Sequence, residues 1–270
     1  MKNKIGVGVI TCNAVERFEK CIRSIPKVDA LVVVNDGDQY LKEVYPTHPN
    51  DPYIIQHSQN KCVGISKNDA MRYLMQQDCD HIFLIEDDMI IQREDVFEKY
   101  IKTAEASGIW HLNFGYHGPA NMKPGTTEPN PRQIVDYGNG NEVALNPNCV
   151  GAFTYFLRGV IKEVGYHDER FKNAWEHVEH TNRIIRKGLH PPFWWFADVA
   201  NSYEYIKEYA SSEVSSVIRK TPEWEKQMRE GMEWYKHKHN CYPTQTPDTP
   251  PERVMQILEN IEKNYAKKVL

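Results

Sequence analysis

Three consecutive carboxylates, Glu86, Asp87 and Asp88, follow an apolar run that should form a buried strand. Adjacent carboxylates repel one another, so their ionised forms need a cation or hydrogen-bond donors nearby. Hard divalent cations such as Mg²⁺ and Mn²⁺ prefer oxygen ligands and often join one or two carboxylates to phosphate groups. In an extended segment, Glu86 and Asp88 point to one side and Asp87 to the other. The triplet therefore indicates a metal site, with a solvated acidic turn as the alternative.

Polar groups also follow two other strand-like runs. Thr11, Cys12 and Asn13 come after the first run. Asp36 comes after the second run and is followed by Gly37, so it could accept hydrogen bonds from a ribose or a base edge, or form an ordinary Asp-Gly turn. Ligands of parallel α/β sheets bind outside the carboxyl ends of the strands. We therefore expect these groups and the acidic triplet to converge on one edge of a sheet.

A third candidate segment, residues 60–70, places Gly64, Lys67 and Asn68 near a predicted helix start. A glycine at a helix N-terminus, followed by a lysine, can hold a diphosphate or its sugar. The chain has neither a Walker loop nor a GxGxxG motif, which disfavours P-loop nucleotidases and Rossmann dehydrogenases.

The fourth candidate is the start of a helix predicted over Trp175–Lys187. On a helix, Glu176 lies near Glu179 and His180, and His177 lies near His180. An acid or an imidazole here could supply a general base, which contributes about 10² to 10⁴ in rate. The alternative is a charged first turn that complements the helix dipole.

The elements that must position these groups alternate between short apolar runs and helical patterns. Nearly continuous apolar runs separated by helices are typical of a parallel sheet covered on both faces. We therefore predict an α/β fold with a mostly parallel central sheet, flanking helices and right-handed connections. The predicted strands are Ile5–Ile10, Ala30–Val34, Tyr53–Gln56, His81–Ile85 and Val150–Phe156, and the earlier helices are Glu16–Ile25 and Ser66–Gln77.

Residues 114–141 are rich in Gly, Pro and Asn. A loop of this length is uncommon unless it is functional or mobile, so we predict an acceptor-side loop, with a surface excursion as the alternative.

The C-terminal part is predicted to be helical. One helix begins at Thr221-Pro222-Glu223, and Thr249 to Glu252 predict a capping box with proline at the first helical position of another. We predict two units: a sheet domain over residues 1–210 and a helical extension over 211–270 that packs on it.

Composition limits the classes of protein. The 270 residues are 40% hydrophobic and 26% charged, which is ordinary for a soluble globular protein. The net charge of −4 does not favour a nucleic-acid partner, and no segment has the roughly 18 consecutive apolar residues of a membrane span. The N-terminus is a poor signal peptide. Six scattered cysteines without a CxxC pair indicate reduced thiols in a cytoplasmic protein, which could be peripheral at a membrane.

Taken in order, these segments resemble glycosyltransferase family 2, whose members are nucleotide-diphospho-sugar transferases of the GT-A fold. The resemblance covers about residues 5–205 and rests on five motifs. Three look like the family's first strand and nucleotide loop, its uridine-contacting aspartate and its middle glycine-basic-Asn segment. The other two look like its DxD metal motif, with Glu in the first place, and the stretch before its catalytic helix. In this sequence they are Gly8–Asn13, Val34–Gly37, Gly64–Asn68, Ile85–Asp88, and Gly151–Phe153 with Val164–Phe171.

The resemblance implies that a nucleotide sugar, expected to be a UDP-sugar, binds across the strand ends together with Mn²⁺ or Mg²⁺. The implied metal ligands are Glu86 and Asp88, with Asp198 as a later ligand. Asp36 would hold the nucleoside. The full set of implied donor-binding residues is Thr11, Cys12, Asn13, Asp36, Gly64, Lys67, Asn68 and Asp87.

The residues at the position of the family's catalytic base depart from the family pattern. Where the family usually has Glu-Asp, with the Asp as the base of inverting members, this chain has Glu176-His177. Either His177 takes the role, or Glu176 or Glu179 does, or the reaction retains configuration and needs no such base.

The resulting hypothesis is a metal-dependent, non-processive and inverting glycosyltransferase of hexosyl or N-acetylhexosaminyl type. The QxxRW motif of the membrane synthases in this family is missing, as are membrane spans. The expected partners are the nucleotide-sugar donor and an acceptor glycan, glycolipid or other hydroxyl-bearing molecule, and the faces around Trp224 and Ile257 could serve an oligomer. The alternatives are a sugar-nucleotide-forming nucleotidyltransferase, a non-catalytic nucleotide-sugar binder and a signalling receiver.

Overall fold

The chain folds around a six-stranded mixed sheet with helices on both faces. The structure, a computed structural model, describes residues 3–40, 45, 49–209 and 222–266. Its strands are β1 (Ile5–Thr11), β2 (Ala30–Asn35), β3 (Tyr53–Gln56), β4 (His81–Glu86), β5 (Met89–Ile91), β6 (His111–Asn113), β7 (Gln133–Asp136), β8 (Glu142–Asn146), β9 (Phe153–Leu157), β10 (Phe196–Val199) and β11 (Ile206–Glu208). Its α-helices are α1 (Val15–Ser24), α2 (Val63–Gln76), α3 (Val96–Ser107), α4 (Arg158–Val164), α5 (Glu176–Arg186), α6 (Pro222–His239) and α7 (Pro251–Ile261).

The central sheet has the strand order β3-β2-β1-β4-β9-β6. Strands β1 to β4 are parallel, whereas β9 runs antiparallel to both β4 and β6. A three-stranded antiparallel sheet, β10-β8-β7, and a ribbon, β11-β5, lie beside it. The predicted α/β class with a mostly parallel sheet is confirmed. The antiparallel β9 next to β4 disagrees with the receiver alternative, because receiver sheets are parallel with the order 2-1-3-4-5.

The two faces of the sheet bury different helices. Helices α1, α3 and α7 pack on one face, and α2, α4 and α5 pack on the other. Strand β4 shows the alternation that this requires, since Phe83 and Ile85 lie in the first core and Ile82 and Leu84 in the second. Because both faces of β4 are buried, the strand reads in sequence as a continuous apolar run.

Helix α2 lies close to β1 because two glycines of that strand face it. A Cβ at Gly8 would lie 2.7 Å from the Cβ of Ala70, and a Cβ at Gly6 would lie 2.8 Å from Cδ2 of Leu74. A larger residue at either position would push the helix away from the sheet. The close approach fixes the position of α2, which carries Lys67, against the strands that end in the acidic residues.

The C-terminal helices pack on the sheet domain. Val254, Leu258 and Ile261 of α7 are buried in the core that also holds α3. In α6, Tyr235 is buried, and its hydroxyl accepts a hydrogen bond from Nδ2 of Asn182 in α5 at 2.7 Å. The predicted boundary at residues 210–211 and the predicted helix-start residue Thr221 lie outside the described residues, so the division into two units stays a prediction.

Two local predictions are wrong. The N-cap of α7 is Pro250, with Pro251 at the first helical position and no side-chain cap, so Thr249 does not form the predicted capping box. Residues 114–141 do not form one long loop, because a 3-10 turn at Pro119–Asn121 and strand β7 interrupt them. Among the described residues, no helix has the length and apolar character that crossing a membrane would require.

Candidate functional site

The carboxyl ends of β1, β2 and β4 open into one cleft of about 350 Å³. These strands are neighbours in the sheet, so the polar groups that follow them meet at a single edge. Asp36 and Asp88 both line the cleft, which places the predicted nucleoside and metal groups in the same space. The other charged or polar residues along its walls include Thr11, Cys12, Arg17, Glu86, Asp87, His117, Asn173, Glu176 and His177.

Asp36, just beyond the end of β2, is buried and held in a fixed orientation. Its Oδ1 lies 2.6 Å from Nδ1 of His57 and accepts the backbone N–H of Lys61 at 2.7 Å. The other ring nitrogen of His57 lies 2.9 Å from Oδ2 of Asp69, so the imidazole is clamped between two carboxylates. Asp36 therefore presents a preorganised carboxylate to the cleft.

Asp87 points back toward β1. Its Oδ2 accepts the hydroxyl of Thr11 at 2.7 Å, and its Oδ1 lies 3.3 Å from the guanidinium of Arg17. Burial raises the pKa of Asp87 to about 7, with a further rise from Asp88 that Arg17 opposes. The side chain thus ties the end of β4 to the end of β1, and Thr11 and Arg17 offset only part of the cost of burying its charge.

Asp88 pairs with a histidine from the glycine-rich segment after β6. Nε2 of His117 lies 3.1 Å from Oδ2 of Asp88 and 3.2 Å from Oε1 of Glu208. Burial disfavours the ionised carboxyl, yet the hydrogen bond and charge of His117 keep the pKa of Asp88 below its usual value. Oδ1 of Asp88 is buried and has no hydrogen-bond partner within the described part of the chain.

Glu86 also lines the cleft, and its carboxylate pairs with a buried lysine. Its Oε1 lies 2.7 Å from Nζ of Lys67, and the same ammonium lies 3.0 Å from Oε1 of Glu176. Lys67 is only 1% exposed and also donates to the carbonyl of Gly151 at 3.0 Å. It does not line the cleft, so the prediction that Lys67 contacts the diphosphate disagrees with its position. The prediction rested on a lysine near a helix start, and the sequence could not show that Glu86, Glu176 and Gly151 enclose its ammonium.

At the opposite wall, the first turn of α5 presents His177. Its Nδ1 lies 3.0 Å from Oε1 of Glu176, and the side chain is 23% exposed. Burial alone would disfavour an ionised Glu176, but Lys67 and His177 hold its pKa well below the usual range. Gly151 supports the ring, since a Cβ there would lie 2.6 Å from Cγ of His177. Of the three predicted base candidates, Glu176 and His177 reach the cleft.

Glu179, the third candidate for the general base, does not reach the cleft. It is fully buried, and Lys238 and His239 of α6 and Arg183 surround its carboxylate. The helical spacing that put Glu179 near Glu176 in sequence could not show that α6 covers this position.

The prediction of Asp198 as a later metal ligand also disagrees with the structure. Asp198 is fully buried, and its carboxylate accepts hydrogen bonds from the hydroxyls of Tyr100 and Ser202 and the backbone N–H of Gly115. Burial raises the pKa of Asp198 to about 7 despite these donors. Asp198 does not line the cleft and joins α3, β10 and the segment after β6.

Three predicted donor-binding residues serve local structure instead. Asn13 accepts the backbone N–H of Asp38. Gly64 lets the start of α2 pack closely on the backbone of Phe171, because a Cβ at Gly64 would lie 2.6 Å from the carbonyl oxygen of Phe171. Asn68 is buried and bonds the backbone of His167 in both directions. None of the three lines the cleft.

Sequence reasoning missed His117, Arg17 and Trp224, all of which line the cleft. His117 lies in the segment predicted as an acceptor-side loop, and a histidine beside Gly118 and Pro119 was the available signal. Arg17 and Trp224 lie on helices whose faces the sequence pattern alone could not orient toward the strand ends.

Comparisons with known proteins support the fold. No protein-family model matches the chain, and no curated protein matches it in sequence. Similar solved structures include S. aureus TarS, with 16% identity and a TM-score of 0.57, covering 96% of this chain and 42% of that chain. A crystal structure of TarS 1–349 in complex with UDP-GlcNAc has 16% identity and a TM-score of 0.53, covering 96% of this chain and 71% of that one.

Another similar structure is the mannosyltransferase PcManGT from Pyrobaculum calidifontis in complex with GDP-Man and Mn²⁺. It has 10% identity and a TM-score of 0.56, covering 99% of this chain and 72% of that one. At these identities the likeness shows a shared fold. The chain spans less than half the length of the full TarS chain.

Proposed function

We propose that this protein is a metal-dependent glycosyltransferase that moves a sugar from a nucleotide-diphosphate donor to an acceptor hydroxyl. The observation that carries the proposal is the meeting of Asp36, Asp88, His117 and His177 in one cleft at the carboxyl edge of the sheet. The shared fold with a mannosyltransferase bound to GDP-Man and Mn²⁺ and with TarS bound to UDP-GlcNAc supports it. The expected donor is a UDP-sugar, and GDP-sugars are the comparison in the test.

Asp36 is the proposed nucleoside-binding residue. Its Oδ1 is occupied by His57 and by the backbone N–H of Lys61, which fixes the direction of the carboxylate. A fixed carboxylate at a strand end accepts hydrogen bonds from a ribose hydroxyl or a base N–H without first paying the entropy of ordering. Thr11 and Cys12 line the same end of the cleft, so the nucleoside would lie over β1 and β2.

Asp88 and His117 are the proposed metal-binding residues, and a bound cation would displace the proton that Nε2 of His117 directs at Asp88 and Glu208. The described residues contain no group of three or more His, Cys, Asp or Glu arranged to hold a metal ion. Mg²⁺ and similar cations, however, are usually held by one or two carboxylates together with water and substrate phosphates, so an Asp-His pair with a buried, unpartnered Oδ1 fits such a site. When bound, the cation would stabilise the charge that develops on the leaving diphosphate.

His177 is the proposed general base of an inverting transfer. An ionised Glu176 can only accept hydrogen bonds, so the contact with Nδ1 places the imidazole proton on that nitrogen. Nε2 then keeps its lone pair and can remove the proton of an acceptor hydroxyl. Glu176 acts through His177 by setting its tautomer and orientation. This arrangement replaces the carboxylate base expected from the resemblance.

The acceptor would enter between His177 and the segment that carries His117. Gly118, Pro119 and Ala120 line that wall, which supports the predicted acceptor-side role for the beginning of residues 114–141. The acceptor class stays a glycan, a glycolipid or another hydroxyl-bearing molecule, and the transfer is proposed to be non-processive.

The test measures nucleotide binding and release. Titration calorimetry with UDP and with GDP, each with and without Mn²⁺, should show binding that Mn²⁺ strengthens at least about tenfold. Incubation with a panel of UDP- and GDP-sugars should then release the nucleotide diphosphate, slowly with water and faster with a suitable acceptor. Binding without any release would favour the non-catalytic binder, and release of inorganic pyrophosphate from sugar phosphate and nucleoside triphosphate would favour the nucleotidyltransferase.

A further inference from the structure

We propose that Lys67 is a positioning residue that holds the carboxylates of Glu86 and Glu176 together and keeps Glu176 ionised as the orienting partner of His177. The inference rests on the proposed function, in which His177 is the base and Asp88 with His117 holds the cation. It assigns Lys67 an indirect role in the reaction.

All three N–H bonds of the Lys67 ammonium have partners. Nζ lies 2.7 Å from Oε1 of Glu86, 3.0 Å from Oε1 of Glu176 and 3.0 Å from the carbonyl oxygen of Gly151. An ammonium has three donors and no acceptor, so these contacts use its full capacity. With 1% exposure the side chain has no surface left for a phosphate. Its charge therefore acts on neighbouring protein groups.

These partners come from both ends of the reaction centre. Glu86 ends β4, two residues before Asp88, and Glu176 begins α5, one residue before His177. Gly151 is the residue whose backbone the His177 ring packs against. The ammonium of Lys67 on α2 thus links the strand end that carries Asp88 to the helix start that carries His177. Helix α2 is itself held against β1 by the close contacts at Gly6 and Gly8.

The charge of Lys67 also decides the protonation of Glu176. Glu176 is buried at 2% exposure, and its Oε2 has no hydrogen-bond partner within the described chain. A buried carboxylate without a compensating cation takes up a proton. A protonated Glu176 could donate to Nδ1 of His177, which would leave the imidazole proton on Nε2. In that tautomer His177 cannot accept a proton from the acceptor hydroxyl, so loss of Lys67 should suppress the chemical step.

The first experiment reads the tautomer of His177 on the protein alone. Long-range ¹H–¹⁵N spectra of ¹⁵N-histidine-labelled protein at pH 8, with the signal assigned by His177→Gln, should show the Nδ1–H form in the wild type. Lys67→Met and Glu176→Gln should each shift the population toward Nε2–H, because a neutral acid or an amide can donate to Nδ1. An unchanged tautomer in folded Lys67→Met would overturn the inference without any donor sugar being needed.

The second experiment reads the rate. With UDP-GlcNAc or GDP-mannose plus Mn²⁺ and water as the acceptor, Lys67→Met should slow nucleotide release at least about tenfold while changing UDP–Mn²⁺ affinity less than about threefold. The double variant Lys67→Met/Glu176→Gln should be no slower than Glu176→Gln, since both changes act through one group. Additive losses would contradict the inference.

Matched variants separate this role from a merely structural one. Lys238→Met removes another lysine paired with two carboxylates, Asp168 and Glu179, away from the cleft, and it should lower stability without changing the rate of release. If Lys67→Met does not fold, Lys67→Arg keeps the cation and should keep the Nδ1–H tautomer. A wild type that binds UDP–Mn²⁺ but releases no nucleotide would overturn the proposed function and the rate part of this inference together, whereas release that Lys67→Met leaves unchanged would overturn the inference alone.

Discussion

Asp88 and His117, 29 residues apart in the chain, meet with Nε2 of His117 at 3.1 Å from Oδ2 of Asp88. One residue follows the end of β4 and the other follows β6, and β9 lies between these strands in the sheet. The pair leaves the other oxygen of Asp88 buried and unpartnered within the described chain. This relationship defines the metal-binding end of the proposed site and can be tested independently of any acceptor.

Asp88→Asn should weaken binding of UDP in the presence of Mn²⁺ at least about tenfold, or about 1.4 kcal/mol. The reason is that an amide keeps the shape of the side chain but loses the charge that attracts the cation. Binding of UDP without Mn²⁺ should change little. Calorimetry with and without Mn²⁺ measures both, and Asp95→Asn, at an exposed aspartate paired with Arg93, is the control. Equal affinities for Asp88→Asn and the wild type would contradict the metal assignment.

Glu86→Gln should leave the UDP–Mn²⁺ affinity within about threefold of the wild type, which is less than 1 kcal/mol. Lys67 engages Oε1 of Glu86 at 2.7 Å and offsets its charge, so we expect this carboxylate to add little to cation binding. The same titration as for Asp88→Asn gives the comparison. A loss as large as that of Asp88→Asn would restore Glu86 as a metal ligand.

Asp36→Asn should weaken UDP binding by about tenfold whether or not Mn²⁺ is present, because hydrogen bonds to a charged acceptor contribute about 1.5–3 kcal/mol. The independence from the metal separates the nucleoside end of the cleft from the diphosphate end. Circular dichroism and thermal unfolding check that the His57 contact at 2.6 Å is not needed for folding. An effect seen only with Mn²⁺ would show that Asp36 acts on the metal side.

Gly151→Ala should slow nucleotide release by about 10²-fold with little change in UDP affinity. The new Cβ would lie 2.6 Å from Cγ of His177 and displace the ring, and misplacing a catalytic group by about 1 Å can cost this much. Gly159→Ala is the matched control, since its Cβ would lie 2.7 Å from the ring of Trp110. Both variants should lose about 1–3 kcal/mol of stability through overpacking, but only Gly151→Ala should lose rate. Equal rates in the two variants would argue against His177 as the base.

We expect the ionisation of Glu179 to make the free energy of unfolding depend on pH in the acid range. Burial opposes its ionisation, but His239, Arg183 and Lys238 lower its pKa from about 4.5 to about 2. Between these values the unfolded chain binds more protons, so the contribution of Glu179 is fully present above pH 4.5 and is lost as the pH falls toward 2. A shift of this size corresponds to something on the order of 3 kcal/mol.

Urea unfolding of the wild type and Glu179→Gln between pH 7 and pH 2.5 measures this contribution. At pH 7 the variant should be less stable by a few kcal/mol, because it leaves the half-buried Arg183 and Lys238 without their carboxylate. The difference should shrink as the pH falls through the range in which the wild-type carboxylate takes up its proton. A difference that does not change with pH would contradict the lowered pKa.

The sequence alone determined the elements and the edge at which the ligand site lies. The apolar runs predicted β1, β2 and β4 within one residue of their observed ends, because a strand buried on both faces must be apolar along its length. The edge strand β3 was predicted with its observed bounds although it is only half-buried. The polar residues after β1, β2 and β4 then had to meet, since neighbouring parallel strands end at the same edge. Asp36 and Asp88 reached the cleft for this local and topological reason.

Only the tertiary structure decided which charged groups face the ligand and which neutralise one another. Lys67, Glu86 and Glu176 belong to α2, β4 and α5, and their mutual contacts depend on how closely these elements pack. In the same way, α6 covers Glu179, the surroundings of β10 bury Asp198, and the chain after β6 delivers His117 to Asp88. Residue type and spacing predict which face of its own helix or strand a side chain occupies. Ion pairing, in contrast, depends on distances between elements that are far apart in the chain.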